Sequence, residues 1–114
     1  MVVDITRHAV EQARERFPEL GLSDARWRGL IEVEVAEAID QYRMALKIPR
    51  FAMREFDRTR TRIWRNHRER ARSMRFLWTD DEQRVYLIDR RHGLERVITV
   101  IRPPAADTRQ DVAA

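Results

Sequence analysis

The 114-residue sequence has no cysteine, only three glycines and a single lysine, Lys47. Without cysteine, neither a disulfide nor a thiolate metal site can form. No apolar stretch approaches the roughly 18 residues of a membrane span, and the first residues lack the charged and apolar regions of a signal peptide. Phosphate-binding glycine loops, an HExxH motif and a nucleophile elbow are missing too, which argues against P-loop and serine-triad enzymes. We therefore expect a cytoplasmic domain that uses no cofactor and no metal.

Arginine is abundant instead, and its charge is concentrated in the middle of the chain. The net charge is +4, from 23 basic and 19 acidic residues. Residues 50–75 contain 10 bases and 3 acids, whereas the segments on either side are slightly acidic. A GC-rich genome would raise the arginine content everywhere, but it would not gather the excess into one block. A local positive field attracts phosphate backbones or acidic protein partners.

Hydrophobic spacing predicts two N-terminal helices. Thr6 can cap a first helix over 7–17, and a long apolar stripe predicts a second helix over 24–47, which Pro49 ends. Residues 50–58 are compatible with either a short helix or a covering loop.

From Thr59 the apolar period changes to two, which predicts strands. We expect an edge strand near 60–65, a polar loop over 66–72, and three further strands near 74–79, 85–88 and 95–101. Short turns between the last three predict an antiparallel meander. The expected fold is α+β, with two N-terminal helices packed on one face of a three- to four-stranded antiparallel meander. This single domain would span 1–102, and 103–114 would form a disordered tail.

Candidate functional residues form two groups. In the first, His8, Gln12 and Arg16 are spaced by four and share a helix face. His8 could act as a general base and Arg16 could hold a phosphate, with His67 as a further proton donor; His8 could equally be a packing residue.

The second group consists of arginines with interleaved aromatic residues, which suit phosphates and unpaired bases. Its members are Arg54, Arg58, Arg60, Arg62, Trp64, Arg65, Arg68, Arg70, Arg72 and Arg75. The alternative is a solvated surface, with Trp64 in a small core and the arginines paired to Glu55, Asp57 and Glu69. The acidic run Asp80-Asp81-Glu82 could bind a cation, but a solvated turn explains it better.

The run Ile5-Thr6-Arg7-His8-Ala9, followed by Arg14-Glu15-Arg16-Phe17, resembles the opening of small bacterial and phage domains. Those domains begin (F/I)-T-x-H-A-x-x-R-x-x-x-R-G-(I/F). Here Gln12 replaces the first arginine of that pattern and Phe17 replaces its glycine. The later strand pair, with Val97-Ile98-Thr99-Val100-Ile101, extends the likeness, and the order of elements is similar to RelE and BrnT toxins.

The resemblance implies a metal-independent endoribonuclease, often a toxin neutralised by an antitoxin. Such an enzyme would act on RNA, with His8 and Arg16 as motif positions. The residues alone leave another function open: a non-catalytic module that binds nucleic acid or an acidic protein and regulates a phage or plasmid. A homodimer or an assembly protein that uses an edge strand is a third hypothesis.

Overall fold

The computed structural model describes residues 3–40 and 50–104. The described residues begin with a short strand, continue with four α-helices and end with three strands. One turn of 3₁₀ helix follows the first α-helix. Their bounds are β1 Val3–Ile5, α1 Arg7–Arg16, α2 Asp24–Asp40, α3 Arg50–Trp64, α4 Arg68–Arg72, β2 Arg75–Trp78, β3 Val85–Arg91 and β4 Leu94–Ile101. The α+β class predicted from the sequence is confirmed.

The four strands form one mixed sheet in the order β1-β4-β3-β2. Strands β2, β3 and β4 are antiparallel neighbours, as the short turns predicted, but β1 lies parallel to β4. The expectation of a purely antiparallel sheet was therefore wrong. His92 and Gly93 form the two-residue turn between β3 and β4, both with positive φ, at 53° and 77°. Such a turn matches the twist of a hairpin.

Two hydrophobic clusters lie on opposite faces of this sheet. In one, residues of α1 and α2 such as Ala13 and Ile31 pack with Leu77 and Tyr86. The other joins Phe56 and other residues of α3 and α4 with the alternate sheet positions, including Phe76 and Leu87. Since successive side chains of a strand point to opposite faces, the sheet is covered on both sides. This arrangement separates α1 from the arginine-rich helices.

Three sequence predictions fail in this region. Residues 60–65 do not form an edge strand, because Thr59 and Ile63 continue the buried helical stripe of Ala52 and Phe56 and extend α3 to Trp64. The predicted loop over 66–72 contains α4. Strand β1 was not anticipated. The predicted end of the second helix, from 41 to 47, and the predicted tail from 105 onward lie outside the described residues.

Candidate nucleic-acid interface

The helix pair α3 and α4 presents a dense set of exposed arginines. Ala52, Phe56, Thr59 and Ile63 face the core at spacings of three and four, so the remaining positions of α3 turn toward solvent. We call these exposed residues the arginine surface; it comprises Arg54, Arg58, Arg60, Arg62, Arg65, Arg68 and Arg72, with Trp64 among them.

Most of this charge is uncompensated. On α3 and the residue that follows it, five arginines have no hydrogen-bonding or ion-pair partner among the described side chains: Arg54, Arg58, Arg60, Arg62 and Arg65. Glu55, one of the acids expected to pair with them, is bound by Arg16 instead. The pairing of Arg72 with Glu69, at 3.4 Å, is a contact between two exposed groups and contributes little in water. The arginine surface therefore keeps charge that an anion can neutralise.

Trp64 stands at the junction of the two helices with 37 % of its surface exposed. The guanidinium groups of Arg68 and Arg72, one turn apart on α4, lie 5.6 and 5.5 Å from the centroid of its ring. Such cation–π contacts hold an indole in place. Trp64 also lines an open depression with Asp57, Arg60 and Thr61. Arg60, Arg62 and Trp64 belong to α3 and not to the edge strand predicted near 60–65.

Two arginines of the predicted set are structural. Arg70 donates to the fully buried carboxylate of Asp89 at 3.3 Å, and Arg96 binds the same carboxylate through two bonds of 2.8 and 2.6 Å. Arg75 is bonded to Glu95, whose side chain is 7 % exposed. A guanidinium held by a buried carboxylate has lost the freedom to bind a phosphate bidentately. We therefore separate Arg70 and Arg75 from the arginine surface.

The candidate residues of α1, His8 and Arg16, lie outside the arginine surface. Thr6 accepts a hydrogen bond from the Ala9 amide at 3.1 Å and so caps α1, as predicted. His8 follows in the first turn and is exposed. Arg16 donates to the Val100 carbonyl oxygen at 2.6 Å and pairs with Glu55 at 3.1 Å. It joins α1 to β4 and α3, and the structure shows it in that tethering position rather than in an open site.

His67 precedes α4 and is exposed. It lines an open depression of about 500 Å³ together with residues of α4 and of the β3–β4 turn. These are Asn66, Arg68, Glu69, Arg70, Arg90, Arg91 and His92. The structure thus brings His67 together with His92, a residue that the sequence reasoning took only as part of a turn. His8, on the helix layer of the opposite sheet face, is not among these lining residues.

Hydrogen bonds fix the two walls of this depression to each other. The Arg90 amide donates to the Ser73 hydroxyl at 2.9 Å, and that hydroxyl donates to the Arg70 carbonyl oxygen at 2.9 Å. The Arg70–Asp89 pair adds a second link between α4 and β3. No local sequence signal predicts this meeting of residues about twenty positions apart, because tertiary packing produces it.

A separate polar cluster is buried under α2. Arg84 binds both carboxylate oxygens of Glu34, at 2.8 and 2.6 Å, and the Tyr86 hydroxyl donates to the same carboxylate. The Glu34 hydrogen bonds raise the pKa of the Arg84 guanidinium. Burial, and then the nearby Glu34 charge, raise the pKa of the Tyr86 phenol well above its usual value. The three groups satisfy one another, which is typical of a structural cluster.

Searches of protein-family models, curated proteins and solved structures found no match to this chain. Within the described residues, no helix combines the length and the apolar character needed to cross a membrane. The same residues contain no group of three or more histidine, aspartate or glutamate side chains arranged to hold a metal ion.

Proposed function

We propose that this chain binds RNA through the arginine surface of α3 and α4. The observation that carries the proposal is the set of five exposed guanidiniums that have no partner among the described side chains, on one helix and the residue after it. Unpaired guanidiniums at a surface attract phosphates and release counterions when they bind them. An acidic antitoxin-like protein would be attracted by the same field.

Trp64 favours single-stranded RNA over a duplex. An exposed indole gives an unpaired base a surface on which to stack, and the guanidiniums of Arg68 and Arg72 lie against this indole. In a duplex, the bases are already stacked and offer only their edges. The combination of a fixed aromatic ring and flanking guanidiniums is typical of sequence-tolerant binding to single strands.

The test is the salt dependence of binding to a single-stranded RNA oligonucleotide. Each phosphate contact contributes about −0.7 to the slope of log K against log salt. Replacing Arg54, Arg58 and Arg62 by glutamine should therefore reduce the slope by about 2. The matched control replaces three exposed arginines of α1 and α2, namely Arg7, Arg14 and Arg26, and changes the net charge equally. An equal loss of binding in this control would show that net charge, not the arginine surface, attracts RNA.

A second candidate is the metal-independent endoribonuclease that the sequence predicted. In that reaction a base removes the 2′-hydroxyl proton, the oxygen attacks the neighbouring phosphorus, and cations stabilise the added charge. The exposure of both His8 and His67 favours this candidate, since either imidazole is open to a substrate. The pairing of Arg16 with Glu55 weakens its predicted role as phosphate holder. Cleavage of RNA in the presence of a chelator, repeated with His8→Ala, tests this candidate.

A further inference from the structure

We propose that the depression between α4 and the β3–β4 turn is a site for cleaving RNA phosphodiester bonds, with His67 and His92 as its proton-transfer pair. The proposal rests on RNA binding by the arginine surface, and it locates the reaction beside that surface. The sequence places three histidines far apart along the chain, at 8, 67 and 92. Folding brings two of them to one depression.

The depression has the size and charge that a nucleotide requires. Its volume of about 500 Å³ falls within the range of small-ligand sites. Arg68 and Arg91 line it, and neither has an acidic partner among the described side chains. Arg90 also lines it; although Arg90 pairs with Glu95 at 2.9 Å, 61 % of its side chain is exposed. Among the described residues, Glu69 is the one carboxylate that lines it; its side chain is 90 % exposed and pairs with Arg72.

Arg68 connects the depression with the proposed RNA-binding surface. Its guanidinium lies 5.6 Å from the centroid of the Trp64 ring, and the residue is also among those that line the depression. A strand whose base stacks at Trp64 would pass its backbone along Arg68 toward the two imidazoles. RNA binding and the proposed cleavage site are therefore adjacent parts of one basic surface.

His92 is the first residue of the two-residue turn between β3 and β4. Its φ of 53° lies in the left-handed region, where the first residue of such a turn is usually glycine, asparagine or aspartate. The neighbouring Arg90–Ser73 and Asp89–Arg70 bonds hold the hairpin against α4, so the imidazole is presented from a fixed element.

Two imidazoles are sufficient for the transesterification step. One takes the proton of the 2′-hydroxyl as this oxygen forms its bond to phosphorus, and the other gives a proton to the 5′-oxygen as the P–O5′ bond breaks. The products are a 2′,3′-cyclic phosphate and a free 5′-hydroxyl, with no net change in protons and no need for an additional reactant. Arg68 and Arg91 would stabilise the negative charge that builds on the phosphate.

The experiment uses the full chain with a randomised single-stranded RNA pool in a chelating buffer, and measures cleavage and binding separately. We expect cyclic-phosphate ends from the native protein, and a rate lower by at least about 100-fold in His67→Asn and in His92→Asn. The second variant suits the left-handed backbone, because asparagine tolerates it. His8→Asn tests the α1 candidate separately, and Glu11→Gln, at an exposed position of α1 that does not line the depression, is the control and should cut within twofold of the native rate.

Four results decide the matter. Loss of cleavage in both variants with unchanged RNA affinity supports the site. An RNA pool that is bound but never cut would overturn the cleavage site and leave the proposed RNA binding intact. Loss of cutting in His8→Asn, with normal cutting in the other two variants, would also overturn it and assign the reaction to α1. Absence of RNA binding by the native protein would instead refute the proposed function on which the site rests.

Discussion

Asp89 has a carboxylate with no exposed surface, and its loss should be the most damaging single change among the charged residues described. Both of its oxygens accept hydrogen bonds from Arg96, and Arg70 adds a third. The side chains of these two arginines are only 12 % and 16 % exposed. Asp89→Asn keeps the volume but leaves two nearly buried cations facing a neutral amide. Breaking a buried ion pair in this way costs about 3–5 kcal/mol.

That cost is large compared with the total stability of a domain, about 5–15 kcal/mol. At about 3–6 °C for each kcal/mol in a chain of this size, the melting temperature should fall by about 10–25 °C. Calorimetry or thermal circular dichroism measures the change. Glu69→Gln is the control: its partner Arg72 is 61 % exposed, so we expect less than about 0.5 kcal/mol. The double variant Asp89→Asn, Arg96→Leu should lose less free energy of unfolding than the two single variants lose together, because the two residues interact directly. A melting temperature within about 2 °C of the native value for Asp89→Asn would refute the reasoning.

Two further predictions concern the polar groups that hold the sheet to its helices. The raised pKa of the buried Tyr86 phenol means that folding favours its neutral form; the stability that this group contributes should be fully present below the ordinary phenol pKa of about 10 and should be lost as the pH rises above it. Tyr86→Phe should remove this alkaline loss in urea unfolding, and an ultraviolet titration in which every phenol of the native protein ionises normally would contradict the prediction. Thr6 caps α1 and also donates to the Ile98 carbonyl oxygen at 3.1 Å, so Thr6→Val should lower the free energy of unfolding by about 1–2 kcal/mol. Thr6→Ser, which keeps the hydroxyl, should recover most of this loss, and equal destabilisation by both variants would show that the methyl group, not the cap, matters.

The first helix and the antiparallel meander were predictable because each follows a local rule. Thr6 begins α1 and apolar residues recur every four positions along it. Strand β3 begins with the apolar run 85–88, and Gly93 supplies one of the two positive φ angles that the following turn requires. These signals lie within a few residues of the structure that they specify, so no knowledge of tertiary contacts is needed.

Strand β1 and helix α3 depend on information that the local sequence does not contain. Strand β1 is three residues long and pairs with β4 more than ninety positions away. A strand of this length is too short for its alternation of apolar and polar residues to be recognised in the sequence. In α3, Ala52 and Thr59 occupy half of the buried stripe, and neither gives a strong apolar signal. The alternation at Thr61 and Ile63 was therefore stronger than the helical period, and it led to the wrong prediction of a strand.

The candidate site was likewise predictable from the sequence only in part. A basic block was visible in the sequence, and so was the mixing of arginine with Trp64. Which arginines are structural was not visible, because their partners Asp89 and Glu95 come from strands that were read for their apolar residues. The joining of His67 with His92 likewise depends on the packing of α4 against β3, which only the folded chain reveals.

The division of the arginines follows from the elements that carry them. The arginines nearest the strands, Arg70, Arg75 and Arg96, can reach carboxylates that the sheet itself buries, and there they contribute to the fold. Helix α3 covers the sheet with one side only, and its opposite side meets no other described element whose carboxylates could neutralise Arg54, Arg58 or Arg62. Unpaired charges of like sign on one helix repel one another, so their presence opposes folding slightly. A surface that retains such repulsion gains the most when an anionic chain binds to it, and this is the physical reason for the proposal that α3 binds RNA.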